Sequence, residues 1–244
     1  MKITQNGKEL YTSKYSWDEK HKIFSTLESN LSLDFSDYSG VTFKTDFNCT
    51  FHTGPDCTFH TGSYCTFNTG NNCAFNTGSN CVFNTGSNCV FNTGNNCVFK
   101  TGDNCTFNTV IVLLFDTGSY CTFHTGSNCT FKTSYGCTFN TGSGCTFKTG
   151  DNCAFDTGSD CIFDTGDDCI FHAGNDCTFK TGDNCVCIRY DVKGITEIPE
   201  GKKIKLNRRN ISGYTFTEEE PKVVSCAGKV VEIDGKKYKL VESD

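Results

Sequence analysis

Cysteine is the residue type with the most reactive side chain in this sequence, and it occurs nineteen times in 244 residues. From Cys49 to Cys105, and again from Cys121 to Cys185, cysteines recur every eight residues, and only Cys187 and Cys226 lie outside this spacing. No Cys-x-x-Cys pair occurs, which argues against zinc sites and thioredoxin-like redox centres. A spacing this regular indicates a packing position. We therefore predict free, buried thiols and a reducing, cytoplasmic compartment.

Histidine offers less chemistry here than its number suggests. Four of the five histidines follow the phenylalanine of a repeat unit: His52, His60, His124 and His172. No two of them would be neighbours along one sheet, so we expect no histidine metal site and no cofactor. Enzymes built on β-solenoids use grooves made of long loops, whereas every turn here is three residues long. We therefore expect no catalytic site and no small-molecule substrate.

Acidic residues outnumber basic residues by fourteen to six in positions 33–190, a net charge of −8. They are concentrated in the C-terminal half of this segment, at Asp156, Asp160, Asp164, Asp167, Asp168 and Asp176. Such an acidic face could be a solvated surface that prevents aggregation, an imitation of duplex phosphates, or a set of calcium ligands in the turns. The nonapeptide of calcium β-rolls is absent, and the sign of the charge disfavours direct nucleic-acid binding.

The elements that carry these residues are strands of a short repeat. The unit reads Cys-x-Phe-x-Thr-Gly-x-x, as in CTFNTGSN and CVFNTGSN. Alternation along a strand places Cys, Phe and Thr on one face and the variable residues on the other. Glycine followed by Ser, Asn or Asp provides residues that tolerate positive φ, so five residues form a strand and three form a turn.

Two octads are predicted to make one coil. Phenylalanine keeps its position at every step from Phe35 to Phe179, and the aspartates that follow the turn glycine share a sixteen-residue phase. The sequence therefore predicts an all-β fold, a flattened two-sheet parallel β-solenoid with sixteen residues per coil and a right-handed path. Positions 33–192 would give ten coils and a stack of roughly 48 Å.

These octads resemble the repeats of short-repeat β-solenoid proteins, a group that includes pentapeptide-repeat and hexapeptide-repeat proteins. The resemblance rests on units such as CTFHTGSN and CTFKTGDN and covers about two-thirds of the chain. Tandem octads of the CTFKTG type are associated with phage, giant-virus and some bacterial proteins. The resemblance implies a non-enzymatic solenoid, and some pentapeptide-repeat proteins imitate the charge of a duplex. Because the period here is eight residues and not five, the four-sided cross-section of pentapeptide-repeat proteins is not expected for this chain.

The flanks are predicted to close the ends of the solenoid. Residues 1–32 form an N-terminal cap, with a hairpin around Asn6-Gly7 and then a short helix that begins at Ser16 and places Trp17, Phe24 and Leu27 on one face. Residues 33–190 form the solenoid, and Ile188–Val192 is its last strand as the chain leaves the stack.

Residues 191–244 are expected to form a small β-rich module. Its strands are predicted at 204–206, 222–224, 230–233 and 237–241, with a hairpin turn at Asp234-Gly235. The module could be a second cap or a docking unit.

One unit departs from the turn rule without losing phase. Val110, Ile111 and Val112 replace Gly-x-x, and Leu114 takes an outward position, while Leu113 points inward. An apolar spot at the edge of a polar rod favours covering by another surface. We therefore predict an interaction edge at Val110, Ile111, Val112 and Leu114, used for self-association or for a protein partner.

The function predicted from the sequence is structural: a rigid solenoid rod acting as a virion-associated, fibre or spacer component of a phage or virus, in the host cytoplasm or the virion. The alternative is an acidic inhibitor that binds a nucleic-acid enzyme or a host defence protein. Ice binding is a third hypothesis, weakened by Val82, Val98 and Leu114, which interrupt the outward threonines. No apolar run of about 18 residues is present to span a membrane.

Overall fold

The structure is a computed structural model that describes residues 1–111, 113–217, 230–233 and 236–239. Short strands dominate the described residues, and their helical structure is one 3-10 turn at Thr12–Lys14. The strands are, in chain order, β1 Lys2–Gln5, β2 Lys8–Glu9, β3 Ser16–Asp18, β4 Ile23–Ser25, β5 Leu31–Phe35, β6 Thr42–Lys44, β7 Thr50–Thr53, β8 Thr58–His60, β9 Thr66–Asn68, β10 Ala74–Asn76, β11 Val82–Asn84, β12 Val90–Asn92, β13 Val98–Lys100, β14 Thr106–Asn108, β15 Leu114–Asp116, β16 Thr122–His124, β17 Thr130–Lys132, β18 Thr138–Asn140, β19 Thr146–Lys148, β20 Ala154–Asp156, β21 Ile162–Asp164, β22 Ile170–Ala173, β23 Thr178–Lys180, β24 Val186–Arg189, β25 Ile195–Glu197, β26 Lys203–Leu206, β27 Tyr214–Phe216, β28 Val230–Ile233 and β29 Lys236–Lys239.

Two long sheets run the length of the molecule. The odd-numbered strands β5 to β23 pair in parallel and, with β1, β2, β26 and β27, form a 14-stranded sheet, here the odd sheet. The even-numbered strands β4 to β24 pair in parallel and, with β3 and β25, form a 13-stranded sheet, here the even sheet. From β6 to β22 each strand pairs with the one sixteen residues further on, as in Phe75 opposite Phe91. The predicted two-sheet solenoid of about ten coils is confirmed.

The core is a double column of phenylalanine rings. Along one sheet, rings sixteen residues apart stack face to face, as Phe75 and Phe91 do with centroids 4.8 Å apart and planes 2° apart. Across the two sheets, rings eight residues apart meet edge to face, as Phe83 and Phe91 do at 5.2 Å and 77°. Both arrangements suit the quadrupole of an aromatic ring. The cysteines lie beside these columns, and every described cysteine is buried.

The three-residue corners repeat one backbone conformation. Their last residue has positive φ, for example Asn80 at 59° and Asp168 at 55°, which explains why Asn, Asp and Gly occupy most of these positions. The middle residue bonds to the next coil: Ser79 Oγ accepts a hydrogen bond from the Asn95 amide at 3.0 Å. Asp167 Oδ1 accepts one from the Asp183 amide at 2.8 Å. We call this series of bonds the corner ladder.

The predicted N-terminal hairpin is present, but the predicted helix is wrong. Asn6 and Gly7 join β1 to β2 with positive φ at both residues. Instead of a helix after Ser16, β3 and β4 form an antiparallel hairpin in which Trp17 lies opposite Phe24, while Leu27 is 94% exposed. Strand pairing prevails over the local helix signal because β4 pairs in parallel with β6. Phe24 then lies beside Phe43 and continues the ring column.

The repeat frame also begins later than predicted. In β5, Leu33 lies opposite Phe51, and Phe35 lies opposite Thr53. Phe35 is therefore shifted by two residues from the position held by the later rings, which begin at Phe43. The shift preserves alternation, so the ring of Phe35 remains buried and meets that of Phe43 edge to face at 5.0 Å.

Antiparallel strands close both ends of the two sheets. At the N-terminal end β1 covers β5 and β3 covers β4; at the C-terminal end β26 covers β23 and β25 covers β24. Part of the predicted C-terminal module, residues 195–216, thus acts as a second cap.

The last coil differs from the prediction. The strand expected to leave the stack at Ile188–Val192 ends at Arg189 and stays in the even sheet, where Cys187 lies opposite Phe171. Buried Arg189 then donates to Asp191 Oδ1 and Oδ2 at 3.0 and 2.7 Å.

The predicted C-terminal hairpin is represented by β28 and β29, which pair in an antiparallel two-stranded sheet. The turn expected at Asp234-Gly235 and the strand expected at 222–224 lie outside the described residues.

Candidate interaction surfaces

The two outer sheet faces and the corners are the surfaces that the rod presents. Each repeat strand has one outward residue before its phenylalanine and one after it. Because the strands are in register, these residues form two rows along each face, here called the leading row and the trailing row. The chemistry of each face is set by which residues of the octads fall into these rows.

The predicted interaction edge lies where the chain passes from β14 to β15. Val110, Ile111 and Leu114 are exposed there to 51%, 40% and 49%, and Leu113 is buried. Val112 lies outside the described residues. The structure thus places three aliphatic side chains at one exposed edge of the odd sheet, and their use as a contact site stays a prediction.

This edge also disturbs the corner ladder. Val110 stands where most other corners have glycine, and Ile111 has no side-chain oxygen to continue the ladder toward the next coil. The buried side-chain oxygen of Asn95, in the preceding corner on that side, has no hydrogen-bond partner among the described residues. Leaving a buried polar atom without a partner costs free energy, so the departure from the repeat is not neutral for stability.

The aliphatic surface extends beyond the predicted edge. Val82, Val98 and Leu114 are consecutive in the leading row of the odd sheet, where β11, β13 and β15 pair in register. All three side chains are exposed, and we call them the apolar row. Sequence reasoning treated Val82 and Val98 only as interruptions of a threonine row and assigned Leu114 to the interaction edge. Their sixteen-residue spacing was the signal that they form one stripe.

Charged side chains form the trailing row beside it. This charged row consists of Lys100, Asp116, Lys132, Lys148, Asp164 and Lys180. Lys132 Nζ lies 3.4 Å from Asp116 Oδ1. The odd face therefore combines an aliphatic stripe with a row of mixed charge in which lysine predominates, although the solenoid as a whole is acidic.

The even face is different. From β8 to β18 its two rows contain only Thr, Ala, Val, Asn and His, with no Asp, Glu, Lys or Arg. Asn76, Asn92 and Asn108 are in register on this face, whereas in the odd sheet Asn84 Nδ2 donates a hydrogen bond to Asn68 Oδ1 at 3.4 Å. The middle of the even face is thus flat and uncharged.

The six predicted acidic residues are not brought together on one face. Asp156 lies in the even sheet and Asp164 in the odd sheet; Asp160 and Asp176 lie at corners on one side of the rod, and Asp167 and Asp168 at a corner on the other side. Several have local partners. Asp167 takes part in the corner ladder, and Lys205 Nζ lies 3.6 Å from Asp176.

The thiols point into the core and bond to the backbone. Cys81 Sγ, for example, donates to the carbonyl oxygens of Gly62 and Ser79 at 3.8 and 3.6 Å. The hydrogen bond with Cys73 and burial raise the pKa of Cys57, and burial raises the pKa of Cys187 to about 12. The raised pKa makes the thiols of Cys57 and Cys187 poor nucleophiles. The prediction of free, buried cysteines is confirmed for the described residues.

A broad depression lies beside the N-terminal cap, with Tyr15, Thr26, Lys44 and His60 among its lining residues. Two of its charged groups, Lys14 and Glu28, are paired at 3.2 Å, and hydrogen bonds from Gln5 and Lys14 lower the pKa of Glu28. These contacts join separate segments of the N-terminal cap to one another.

Comparison with family models, with curated proteins and with solved structures finds no match to this chain. Among the residues that the structure describes, no group of three or more His, Cys, Asp or Glu side chains is arranged to hold a metal ion. No helix in the same residues is long and apolar enough to cross a membrane.

Proposed function

We propose that this chain is a non-enzymatic structural or interaction protein, a rigid capped rod whose flat faces bind other protein surfaces. The observation that supports this most is the straight registration of outward side chains on two flat sheets joined by three-residue corners. Such faces suit extended protein contacts, which need complementary area, whereas small-molecule sites need concavity.

Fixed length is the second property that a rod of this kind offers. Hydrogen bonds and stacked rings join each coil to the next, and antiparallel strands cover both ends. Covered edges oppose further strand addition, so the stack stays at about ten coils, or roughly 48 Å. A spacer, fibre or virion-associated component of a phage or virus, the setting implied by the resemblance of the repeats, needs a rod of defined length.

The acidic-inhibitor alternative receives no specific support from the placement of the aspartates. A duplex mimic needs negative charge along one continuous surface. The six aspartates singled out in the sequence are divided between both sheets and both sides of the rod.

Lysine cross-linking of the protein in its native assembly tests the proposal. A structural role predicts stoichiometric cross-links from odd-face Lys100, Lys132 and Lys148 to one recurrent surface, either another copy or a structural partner. A variant with all three lysines changed to arginine keeps the charge, removes the reactive amines and should lose these cross-links. A chain that is recovered only as an uncrosslinked monomer would contradict the proposal, and a nucleic-acid enzyme as the partner would establish the alternative.

A further inference from the structure

From the residues of the odd face we infer that two copies of this chain pair face to face through their odd sheets, in opposite directions, about a two-fold axis that runs parallel to the strands between β13 and β15. This inference rests on the proposed interaction role and names its partner as a second copy. The apolar row would lie at the centre of the interface, with the charged row beside it.

The two-fold operation defines which residues meet. An axis parallel to the strands keeps leading rows opposite leading rows and reverses the order of the coils. With the axis between β13 and β15, Val98 faces the partner's Leu114, and Leu114 faces the partner's Val98. Ile111, at the corner beside β15, then lies near the axis and close to the partner's Ile111. Val98 and Leu114 of the two copies would thus cover one another, while Val82 faces the partner's Thr130.

The charged row agrees with the same register along the whole rod. Lys100 faces the partner's Asp116, and this contact occurs twice by symmetry. Further out, His52 faces the partner's Asp164, and Asp34 faces the partner's Lys180.

The remaining lysines of the charged row, Lys132 and Lys148, face the partner's Asn84 and the partner's Asn68. No charged residue of this row therefore meets a like charge, and electrostatic complementarity of this kind specifies register.

Displacing the axis by half a strand spacing removes this agreement. An axis through β13 sets Lys100 against the partner's Lys100 and Asp34 against the partner's Asp164. An axis through β15 sets Asp116 against the partner's Asp116 and Lys100 against the partner's Lys132. An axis along the rod would place the trailing row on the leading row, with Lys100 over the partner's Val98.

A displacement by a whole strand spacing toward the N-terminus avoids like charges but is less complementary. With the axis between β11 and β13, Leu114 faces the partner's Thr66, and one opposite-charge pair remains, Asp34 with the partner's Lys148. The register between β13 and β15 provides two different opposite-charge pairs, Lys100 with the partner's Asp116 and Asp34 with the partner's Lys180, and joins Val98 to the partner's Leu114.

The available area is sufficient for a specific dimer. Ten coils give a face of about 48 Å by about 12 Å, from a strand spacing of about 4.8 Å and a rise of about 3.3 Å per residue. Two such faces bury roughly 1,100 Å² in total, which is at the lower end for specific protein interfaces. The fixed, in-register side chains favour association because little conformational entropy is lost on binding.

Sedimentation of matched lysine variants tests the face that is used. Val98 of the odd face and Val90 of the even face occupy the same outward position and are exposed to 39% and 42%. We expect the parent chain and Val90→Lys to sediment as dimers and Val98→Lys as a monomer. A monomeric parent, or dissociation by Val90→Lys but not by Val98→Lys, would overturn the inference.

Charge reversal tests the register. Lys100→Asp places a carboxylate opposite the partner's Asp116, and Asp116→Lys places an ammonium opposite the partner's Lys100, so each change should weaken dimerisation by roughly a hundredfold. The double variant Lys100→Asp/Asp116→Lys restores opposite charges and should restore most of the affinity. A double variant as weak as either single variant would refute this register. Lys44→Asp, on the even face, should leave dimerisation unchanged, and dissociation by this change would overturn the assignment to the odd face.

The two proposals can fail separately. A monomeric parent whose lysines cross-link to a different structural protein in the native assembly would remove the dimer and keep the interaction role. A dimer of purified protein that forms no stoichiometric contact in the native assembly would keep the odd-face pairing and remove the proposed function.

Discussion

At the scale of single residues, one position of the octad dominates the core. From Phe43 to Phe179 the ring of each repeat unit is almost fully buried and in edge contact with rings of the other sheet, and from Phe59 to Phe163 it is also stacked on the rings of the coils before and after it. The neighbouring outward residue makes none of these contacts. Inward and outward positions of one strand should therefore differ sharply in their tolerance of change.

Phe91 and Asn92 provide the comparison within one strand. Phe91→Ala should lower the free energy of unfolding by about 3 to 5 kcal/mol, because it removes a ring from the middle of the column. Asn92→Ala, at an exposed site, should change it by about 0.5 kcal/mol or less. Urea unfolding followed by circular dichroism measures both values, and equal losses would refute the alternation.

The buried thiol of Cys187 should make stability depend on alkaline pH. Its pKa is raised to about 12 by burial, whereas a thiol in an unfolded chain titrates near pH 8.5. Below about pH 8.5 the thiol is protonated in both the folded and the unfolded chain, so it does not lower the free energy of unfolding. Above it only the unfolded chain loses the proton, so this group lowers the free energy of unfolding by about 1.4 kcal/mol per pH unit until the folded pKa is reached.

Cys187→Ala isolates that contribution, because the other thiols are common to both proteins. Unfolding measured from about pH 7 to about pH 10 should show a shallower alkaline loss in the variant. Parallel curves for the two proteins would show that the Cys187 thiolate is not disfavoured in the fold.

At the scale of elements, corners and caps differ in how they are specified. A corner is specified locally, by glycine, a ladder-forming side chain and a residue that accepts positive φ. A cap is specified by the strand edge that it covers, as when β3 and β4 pair because β6 offers an edge and a ring to pack against. Sequence reasoning accordingly identified the corners and misjudged the N-terminal cap.

Restoring the repeat consensus at the interaction edge should stabilise the rod. The triple variant Val110→Gly/Ile111→Ser/Val112→Asn supplies the residue types of the other corners and allows the buried Asn95 oxygen to regain a donor. We expect a gain of roughly 1 to 2 kcal/mol in the free energy of unfolding. Thermal unfolding of the two proteins measures it.

The converse change at a regular corner is the control. A Cβ added at Gly94 would contact Ser79 Oγ and lie 3.0 Å from the Ser79 amide nitrogen and 3.1 Å from the Gly78 carbonyl carbon. Gly94→Val should therefore destabilise. Stabilisation by Gly94→Val, or destabilisation by the triple variant, would show that corner consensus does not determine stability here.

At the scale of the whole molecule, the solenoid is modular in units of sixteen residues. Each coil contacts the next through the same pairs, so a coil can be removed without changing which residues face inward. A deletion of an odd number of residues breaks this relation for all later strands, since it turns their inward side chains outward.

Deleting residues 118–133 removes one coil and should leave a folded rod shorter by about 4.8 Å. Deleting residues 118–132 removes nearly the same chain length but shifts the downstream frame by one residue, so it should abolish cooperative unfolding. Small-angle scattering and circular dichroism distinguish the two outcomes. Equal tolerance of both deletions would contradict the register-based account of the fold.

The repeat, the two-sheet solenoid, the inward cysteines and phenylalanines, and the exposed Leu114 beside buried Leu113 followed from the sequence alone. These features depend on alternation along a strand and on turn propensity, which are local properties repeated many times. The two-residue shift at Phe35, the β3–β4 hairpin in place of a helix, and the position of Cys187 opposite Phe171 were decided by the tertiary structure. Each of these occurs at an end of the stack, where a strand has only one neighbouring coil and pairing with the available edge outweighs local pattern.

The candidate interaction surface was likewise predictable from the sequence in part, and the rest was decided by the tertiary structure. The sequence identified the apolar corner, whereas the alignment of Val82 and Val98 with Leu114, and of Lys100 with Asp116, became a surface only once the strands were paired. The six aspartates that were close in the sequence were separated by the same geometry, because successive octads lie in opposite sheets. Sequence proximity therefore predicts a shared surface in this fold only for residues sixteen apart.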